Sequence, residues 1–193
     1  MIPFTHTDIE VGLRLVEALV QQARSLRGMP IVHGDLLTLA RSLHPKDPML
    51  ARAVPVGIGP KLHFVRDFCA AHGYPNLASL AVSRATQRPM PGCQGDWEGE
   101  KRAVAAFDWS VSEAPLAAYA AKARAAVPAR LKPRKERPAD VAWYAYYCSH
   151  RAACEKVTLE DKQEIINLIM AGLDPETALG RVLAAKADFG EQC

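Results

Sequence analysis

The sequence predicts a mainly helical α+β fold, and three observations lead to that prediction. Apolar residues recur every three or four positions through most of the chain, which is typical of amphipathic helices. Prolines and glycines divide these stretches into short elements. One apolar run, residues 77–83, is short enough to be a strand. With 193 residues, 49% hydrophobic and 23% charged, the chain suits one large domain or one domain with a small appendage.

The first predicted helix begins at Thr7, which can cap it, and Glu10 lies three residues later to complete a capping box. Gly28 and Pro30 are typical signals for its end. Its apolar positions repeat at helical spacing and are Ile9, Leu13, Val16, Val20 and Ala23.

Three further helices are predicted between residues 33 and 73. The first is capped by Asp35, the second is short and starts at Pro48, and the third runs from Pro60 to Gly73. Proline at the first helical position and glycine after the last are the usual boundary signals. Ile31–Val32 is too short to form a strand by itself.

The run 77–83 is predicted to be a strand, and the following "RATQRPMPG" has the composition of a turn. The glycines of "GDWEGE" predict a solvated acidic loop. Helical patterns return in "EKRAVAAFDW" and in the alanine-rich "SEAPLAAYAAKARAAV".

The order of elements over residues 31–92 is typical of a winged helix. Two helices joined by a tight turn precede a third, and a strand and loop follow as part of a small β hairpin, the wing. In helix-turn-helix proteins such a helix enters the major groove of DNA. We therefore expect five basic residues in and around the third helix and the wing to contact phosphates. They are Arg52, Lys61, Arg66, Arg84 and Arg88.

Residues 31–92 also resemble the winged-helix domain of DNA alkyltransferases and alkyltransferase-like proteins. "IVHGDLLTLA" is similar to the opening of that domain, and a Gly-Pro-initiated helix and a strand follow in the same order. The family's Pro-Cys-His-Arg nucleophile motif is replaced here by Pro91-Gly92-Cys93-Gln94, so the resemblance does not extend to alkyl transfer. "FCAAHGYPNLASLAVS" resembles a small domain of uncharacterised bacterial and mobile-element proteins, which implies a context and no activity.

A basic, proline-rich segment at residues 128–138 is predicted to be an exposed linker between a helical domain, 1–127, and a C-terminal helical hairpin or bundle, 139–193. It contains three prolines and five basic residues, namely Arg130, Lys132, Arg134, Lys135 and Arg137. Such a composition favours an extended, solvated chain.

Aromatic residues crowd the start of the C-terminal part, where Trp143, Tyr144, Tyr146 and Tyr147 lie close together. On one helix they spread around most of the circumference, so some are expected to be exposed. Beside arginines, exposed rings suit stacking on bases or a protein interface. Ordinary packing between the two parts of the chain is the third interpretation.

Charge and cysteine content indicate a cytoplasmic protein with reduced thiols. The net charge is +3 with a pI of about 8.6, and the five cysteines form no disulfide framework. We find no signal-peptide pattern and no apolar run long enough to span a membrane.

No pattern of residues predicts catalysis, a metal or a cofactor. Cys69 and His72 have the spacing of a ligand pair, with Cys93 beyond the strand, but Cys69 falls on an apolar stripe. Cys148, His150 and Cys154 match no standard ligand spacing. We therefore expect neither an enzyme nor a small-molecule substrate.

Two functions are expected from these observations. The first is a winged-helix-like nucleic-acid binder, in which Arg134, Lys135 and Arg137 add non-specific phosphate contacts. The alternative is a mobile-element or phage anti-defence protein of the anti-CRISPR type, which binds and inhibits or remodels a nucleoprotein complex. In that case Trp143, Tyr144 and Tyr147 would anchor the protein interface.

Overall fold

Helices dominate the structure, a computed structural model that describes residues 4–91, 95–110, 113–129 and 131–188. The mainly helical prediction is confirmed: the described residues form nine α-helices and two strands of two residues each. The helices are α1 His6–Leu26, α2 His33–Leu43, α3 Pro48–Arg52, α4 Ile58–Ala71, α5 Trp97–Ala106, α6 Glu113–Ala125, α7 Glu136–Ser149, α8 Leu159–Met170 and α9 Pro175–Asp188. The strands are β1 Ile31–Val32 and β2 Ala81–Val82, and short 3-10 helices cover Pro55–Gly57, Leu77–Leu80 and Arg151–Cys154.

Helix α1 begins one residue after Thr5, and the predicted cap at Thr7 is wrong. The Thr5 hydroxyl accepts a hydrogen bond from the Asp8 amide at 3.1 Å, and the Asp8 carboxylate accepts one from the Thr5 amide at 3.0 Å. This reciprocal pair is the capping box that the sequence places two residues later. The helix ends with Arg27 and Gly28 at φ 45° and 77°, a left-handed termination.

The two strands pair in parallel, with Ile31 opposite Ala81 and Val32 opposite Val82. A hairpin wing requires antiparallel strands joined by a short turn, whereas the chain between these strands contains α2, α3 and α4. The described residues therefore contain no β hairpin, and that part of the prediction is wrong. Ile31–Val32, too short to stand alone, becomes a strand because Ala81–Val82 supplies its partner.

The segment predicted as a strand at 77–83 is mostly a 3-10 helix, Leu77–Leu80, followed by β2. Leu77, Leu80 and Val82 are all buried, as the apolar pattern indicates. The predicted loop "GDWEGE" is also wrong from Trp97 onward. Asp96 caps α5 by accepting a hydrogen bond from the Gly99 amide at 2.9 Å, so a helix forms although Gly99 lies in its first turn.

Two apolar clusters account for most of the buried side chains. The larger one gathers α1, α2, α4 and the 77–80 turn around residues such as Leu15, Leu62 and Leu80. The second lies among α7, α8 and α9, with Trp143, Ile165 and further residues of these helices at its centre. The C-terminal helices thus pack on one another, as expected, and the division into two domains stays a prediction.

A buried group of charges connects the N-terminal helices to α8 and α9. The Lys61 ammonium lies 2.8 Å from a Glu164 carboxylate oxygen and 3.5 Å from Asp8, and Arg181 contacts Asp8 at 3.1 Å. Gly57 permits this arrangement, because a Cβ there would lie 2.0 Å from the Glu164 carboxyl carbon. The two cations and two anions neutralise each other, which is the condition for burying charge.

Candidate nucleic-acid interface

The basic residues predicted on α3 and α4 are occupied by partners inside the protein. The Lys61 side chain is only 3% exposed, so the prediction that it contacts phosphate is wrong. Arg52 pairs with Glu136 at 2.7 Å, and Arg66 pairs with Asp67 at 2.9 Å. Each arginine already has a carboxylate beside it, so neither adds net positive charge to the surface.

A tight, internally bonded loop at residues 83–88 presents Arg84 and Arg88 to solvent. The amide of Ser83 donates to the Arg88 carbonyl at 2.9 Å, and the amide of Gln87 donates to the Ser83 carbonyl at 2.9 Å. Gln87 adopts a φ of 52°, which closes the turn. All five residues from Arg84 to Arg88 are exposed. Both arginines therefore stand on a fixed backbone, as a phosphate-contacting loop requires.

Trp97 organises the cations beside this loop, although no pattern in the sequence indicates that role. Its indole N–H donates to the Ser79 carbonyl at 2.8 Å. The Lys101 ammonium lies 4.1 Å from the centre of the indole and the Arg88 guanidinium carbon 5.9 Å from it. Such cation–π contacts hold cations against an aromatic face. Because Lys101 also pairs with Glu98 at 2.7 Å, this surface carries mixed charge.

The segment predicted as a free linker is docked on the C-terminal helices through the residues that the structure describes, which do not include Arg130. The Arg134 amide donates to the Met170 carbonyl at 2.7 Å, and Leu131 packs against the cluster of α7–α9. Gly172, at φ 104°, makes this possible, because a Cβ there would lie 2.7 Å from the backbone of Leu131 and Lys132. We call its exposed basic side chains the basic strip: Lys132, Arg134, Lys135 and Arg137.

The basic strip keeps its positive charge. All four of its side chains are exposed, and none forms an ion pair within the described part of the chain. The two acids that lie close by in the sequence are engaged elsewhere: Glu136 with Arg52 at 2.7 Å and Asp140 with Lys162 at 3.3 Å. Lys135 is the N-cap residue of α7 and makes no side-chain cap hydrogen bond, so the positive end of the helix lies within the strip. The strip thus carries four exposed cations that have no ion-pair partner among the described residues.

Helix α7 divides the predicted aromatic residues between the core and the surface. Trp143 is 4% exposed and belongs to the C-terminal apolar cluster, so its predicted role as an interface anchor is wrong. Tyr146 stacks on His150, with ring centres 4.1 Å apart. Tyr144 and Tyr147 are exposed by 67% and 39%. Together with Val141, exposed by 61%, these two tyrosines are large side chains that α7 exposes to solvent.

The cysteines and histidines considered as ligands form no metal-binding cluster among the described residues. Cys69 is buried in α4, and burial raises the pKa of its thiol to about 11. The His72 ring nitrogen Nδ1 lies 2.9 Å from the Phe68 carbonyl, and Cys93 lies outside the described residues. Among residues that the structure describes, no three potential ligands come together. None of the described helices has the length and apolar character needed to cross a membrane.

No protein-family model matches the chain, and comparisons with characterised proteins and with solved structures also give no match.

Proposed function

We propose that this chain is a non-catalytic nucleic-acid-binding protein whose basic strip contacts backbone phosphates. The observation that carries the proposal is the docked strip itself, with four exposed cations that lack ion-pair partners among the described residues. Lys and Arg that neutralise phosphates release condensed counterions, which drives binding of any sequence. A strip fixed on helices keeps its charges in place before the ligand arrives, which lowers the ordering cost.

The loop bearing Arg84 and Arg88 supports the same function as a second, weaker contact. Its backbone is closed by hydrogen bonds, and Trp97 holds Arg88 and Lys101 beside it. The acids of α5 reduce the positive charge there, so we assign the larger share of binding to the basic strip. The winged-helix resemblance and the cytoplasmic location stay predictions, and binding through the strip depends on neither.

The test is salt-dependent binding of a labelled oligonucleotide, measured by fluorescence anisotropy. The strip variant carries glutamine at Lys132, Arg134, Lys135 and Arg137. We expect weaker binding and a shallower dependence of log K on log salt, by about 0.7–0.9 for each phosphate that the variant no longer neutralises.

A control variant with the same change in net charge separates a local effect from a general one. It carries glutamine at four exposed cations that form no ion pair with described residues: Arg24, Arg102, Lys122 and Lys156. Its slope should stay close to that of the wild type. Equal slopes for all three proteins would contradict the proposal.

Binding of a protein is the second candidate function, and the exposure of Tyr144 and Val141 favours it. Exposed tyrosine is enriched where proteins meet. In this case the chain would bind and inhibit or remodel a nucleoprotein complex, as an anti-defence protein does. A wild-type chain without salt-dependent affinity for DNA or RNA would favour this candidate over the first.

A further inference from the structure

One face of α7 continues the basic strip with apolar and aromatic side chains. Arg137, Val141, Tyr144 and Cys148 follow one another at intervals of four, three and four residues, so they lie on one side of the helix. All four are exposed. From Arg137 to Tyr144 the helix advances about 10 Å. We call this surface the α7 outer face.

The opposite side of α7 fixes the orientation of this face. Ala139 and Trp143 are buried among α8 and α9, and the basic strip that precedes the helix is docked by the bond from Arg134 to Met170. Tyr144 makes no ring contact within the described part of the chain. Cys148, one turn away, raises the pKa of Tyr144. The Tyr144 side chain is 67% exposed on this surface.

The charge beside this face selects the kind of ligand that fits it. A scattered exposed apolar residue needs no explanation, but here Val141 and Tyr144 follow Arg137, the last cation of the basic strip, along the same side of α7. A polyanion with accessible flat rings satisfies both features, since cations track the backbone while bases stack on aromatic side chains. A duplex keeps the faces of its bases inside the stack, so it cannot use Tyr144.

We propose that the α7 outer face binds single-stranded nucleic acid, with phosphates on the basic strip and a base stacked on Tyr144. This inference rests on the proposed function and adds the class of nucleic acid. Tyr147, 39% exposed and three residues beyond Tyr144, borders the same path. We expect this arrangement to bind without sequence specificity, because every base has a face that can stack on an aromatic ring.

The experiment compares single-stranded DNA, single-stranded RNA and duplex DNA of one sequence by fluorescence anisotropy at fixed salt. We expect the wild type to bind at least one single strand more tightly than the duplex. Tyr144→Ala should weaken single-strand binding about 5- to 150-fold, the range for loss of one stacked base. Duplex affinity and the salt slope should not change, because no charge is removed.

Two control variants separate stacking from other effects. Tyr144→Phe keeps the ring and loses the hydroxyl, so it should retain single-strand affinity. Leu159→Ala shortens an apolar side chain that is 87% exposed on α8, and we expect no effect on binding. Circular dichroism should give the same unfolding curve for each variant, because the altered side chains are exposed.

The outcomes distinguish this inference from the proposed function. Equal affinity for single strand and duplex, with Tyr144→Ala unchanged, would overturn the single-strand inference and leave phosphate binding by the strip intact. If no nucleic acid binds in a salt-dependent manner, both fall, and the α7 outer face is assigned to a protein. The wild type could bind single-stranded DNA and single-stranded RNA with different affinities. If Tyr144→Ala abolishes that difference, the result would support the inference and identify which of the two nucleic acids is preferred.

Discussion

Replacing Lys61 tests the role of the buried charges that join α1 and α4 to α8 and α9. The Lys61 side chain is 3% exposed and contacts Glu164, which is also 3% exposed, and Asp8, which is fully buried. Lys61→Met keeps an unbranched side chain that is shorter by one atom and removes the charge. Asp8 would retain Arg181 at 3.1 Å, whereas Glu164 would retain, among the described residues, the Asn167 amide alone at 3.2 Å.

We expect Lys61→Met to lower the free energy of unfolding at pH 7 by about 3–5 kcal/mol, the cost of leaving a buried charge without its partner. Adding Glu164→Gln to the same chain removes the stranded negative charge. The double variant should therefore be more stable than the sum of the two single changes indicates, with a coupling of about 0.5–3 kcal/mol. Glutamine matches glutamate in size, which matters because Gly57 lies against this group.

Urea unfolding followed by circular dichroism measures these values, and the slope m should stay constant if only stability changes. A loss below about 1 kcal/mol for Lys61→Met would refute the reasoning, because ion pairs on the protein surface contribute only about that much to the free energy of unfolding. A double variant no more stable than the sum of the singles would refute the pairing of Lys61 with Glu164.

The pH dependence of stability gives a second measurement of the same charges. Burial alone would raise the pKa of Asp8. The positive charges of Lys61 and Arg181 lower it by a larger amount, so the pKa of Asp8 lies below its ordinary value. The stability that this shift supplies is present above the unfolded pKa of about 3.9 and is lost as pH falls through the folded pKa. In the Lys61→Met variant, a proton on a buried carboxylate can replace the missing positive charge. The difference in free energy of unfolding between the variant and the wild type should therefore become smaller as the pH is lowered from neutral.

Two further predictions concern the docked strip and the thiols. Gly172→Ala places a Cβ 2.7 Å from the strip backbone at a φ of 104°, so we expect a loss of about 1–3 kcal/mol in urea unfolding and faster tryptic cleavage within the strip. Unchanged stability and cleavage would show that the strip does not depend on this contact. Cys148 is exposed and Cys69 is buried with a pKa of about 11, so iodoacetamide should modify Cys148 before Cys69 near neutral pH. Peptide mass spectrometry checks the order, and equal rates would contradict the burial of Cys69.

Sequence spacing predicts the helices well because local pattern determines them. The apolar repeat of α1, the proline at the start of α3 and the apolar stripe of α4 depend on neighbouring residues. The errors arise where two local signals compete. Thr5 with Asp8 and Thr7 with Glu10 offer the same capping box, and only the packed structure selects between them.

The candidate site is harder to predict because its charges are set by residues far away in the chain. Lys61 looks like any surface lysine in the sequence, yet its partner Glu164 is 103 positions away. No periodicity connects such a pair. The burial of the aromatic residues of α7 is likewise set by helices that lie elsewhere in the chain. Trp143 is buried and Tyr144 exposed because Ala139 and Trp143 lie on the side that packs against α8 and α9.

The basic strip shows how exposure and docking combine in one segment. Its prolines and cations predict solvent exposure, and its side chains are exposed. Its backbone is nevertheless held by the bond to Met170 and by contact with Gly172, which only the folded α8–α9 turn can supply. A flexible linker would have to order its backbone on binding, at a cost of about 1–2 kcal/mol per residue. The docked strip meets that cost during folding, so its four cations can act on a phosphate backbone as a preformed surface.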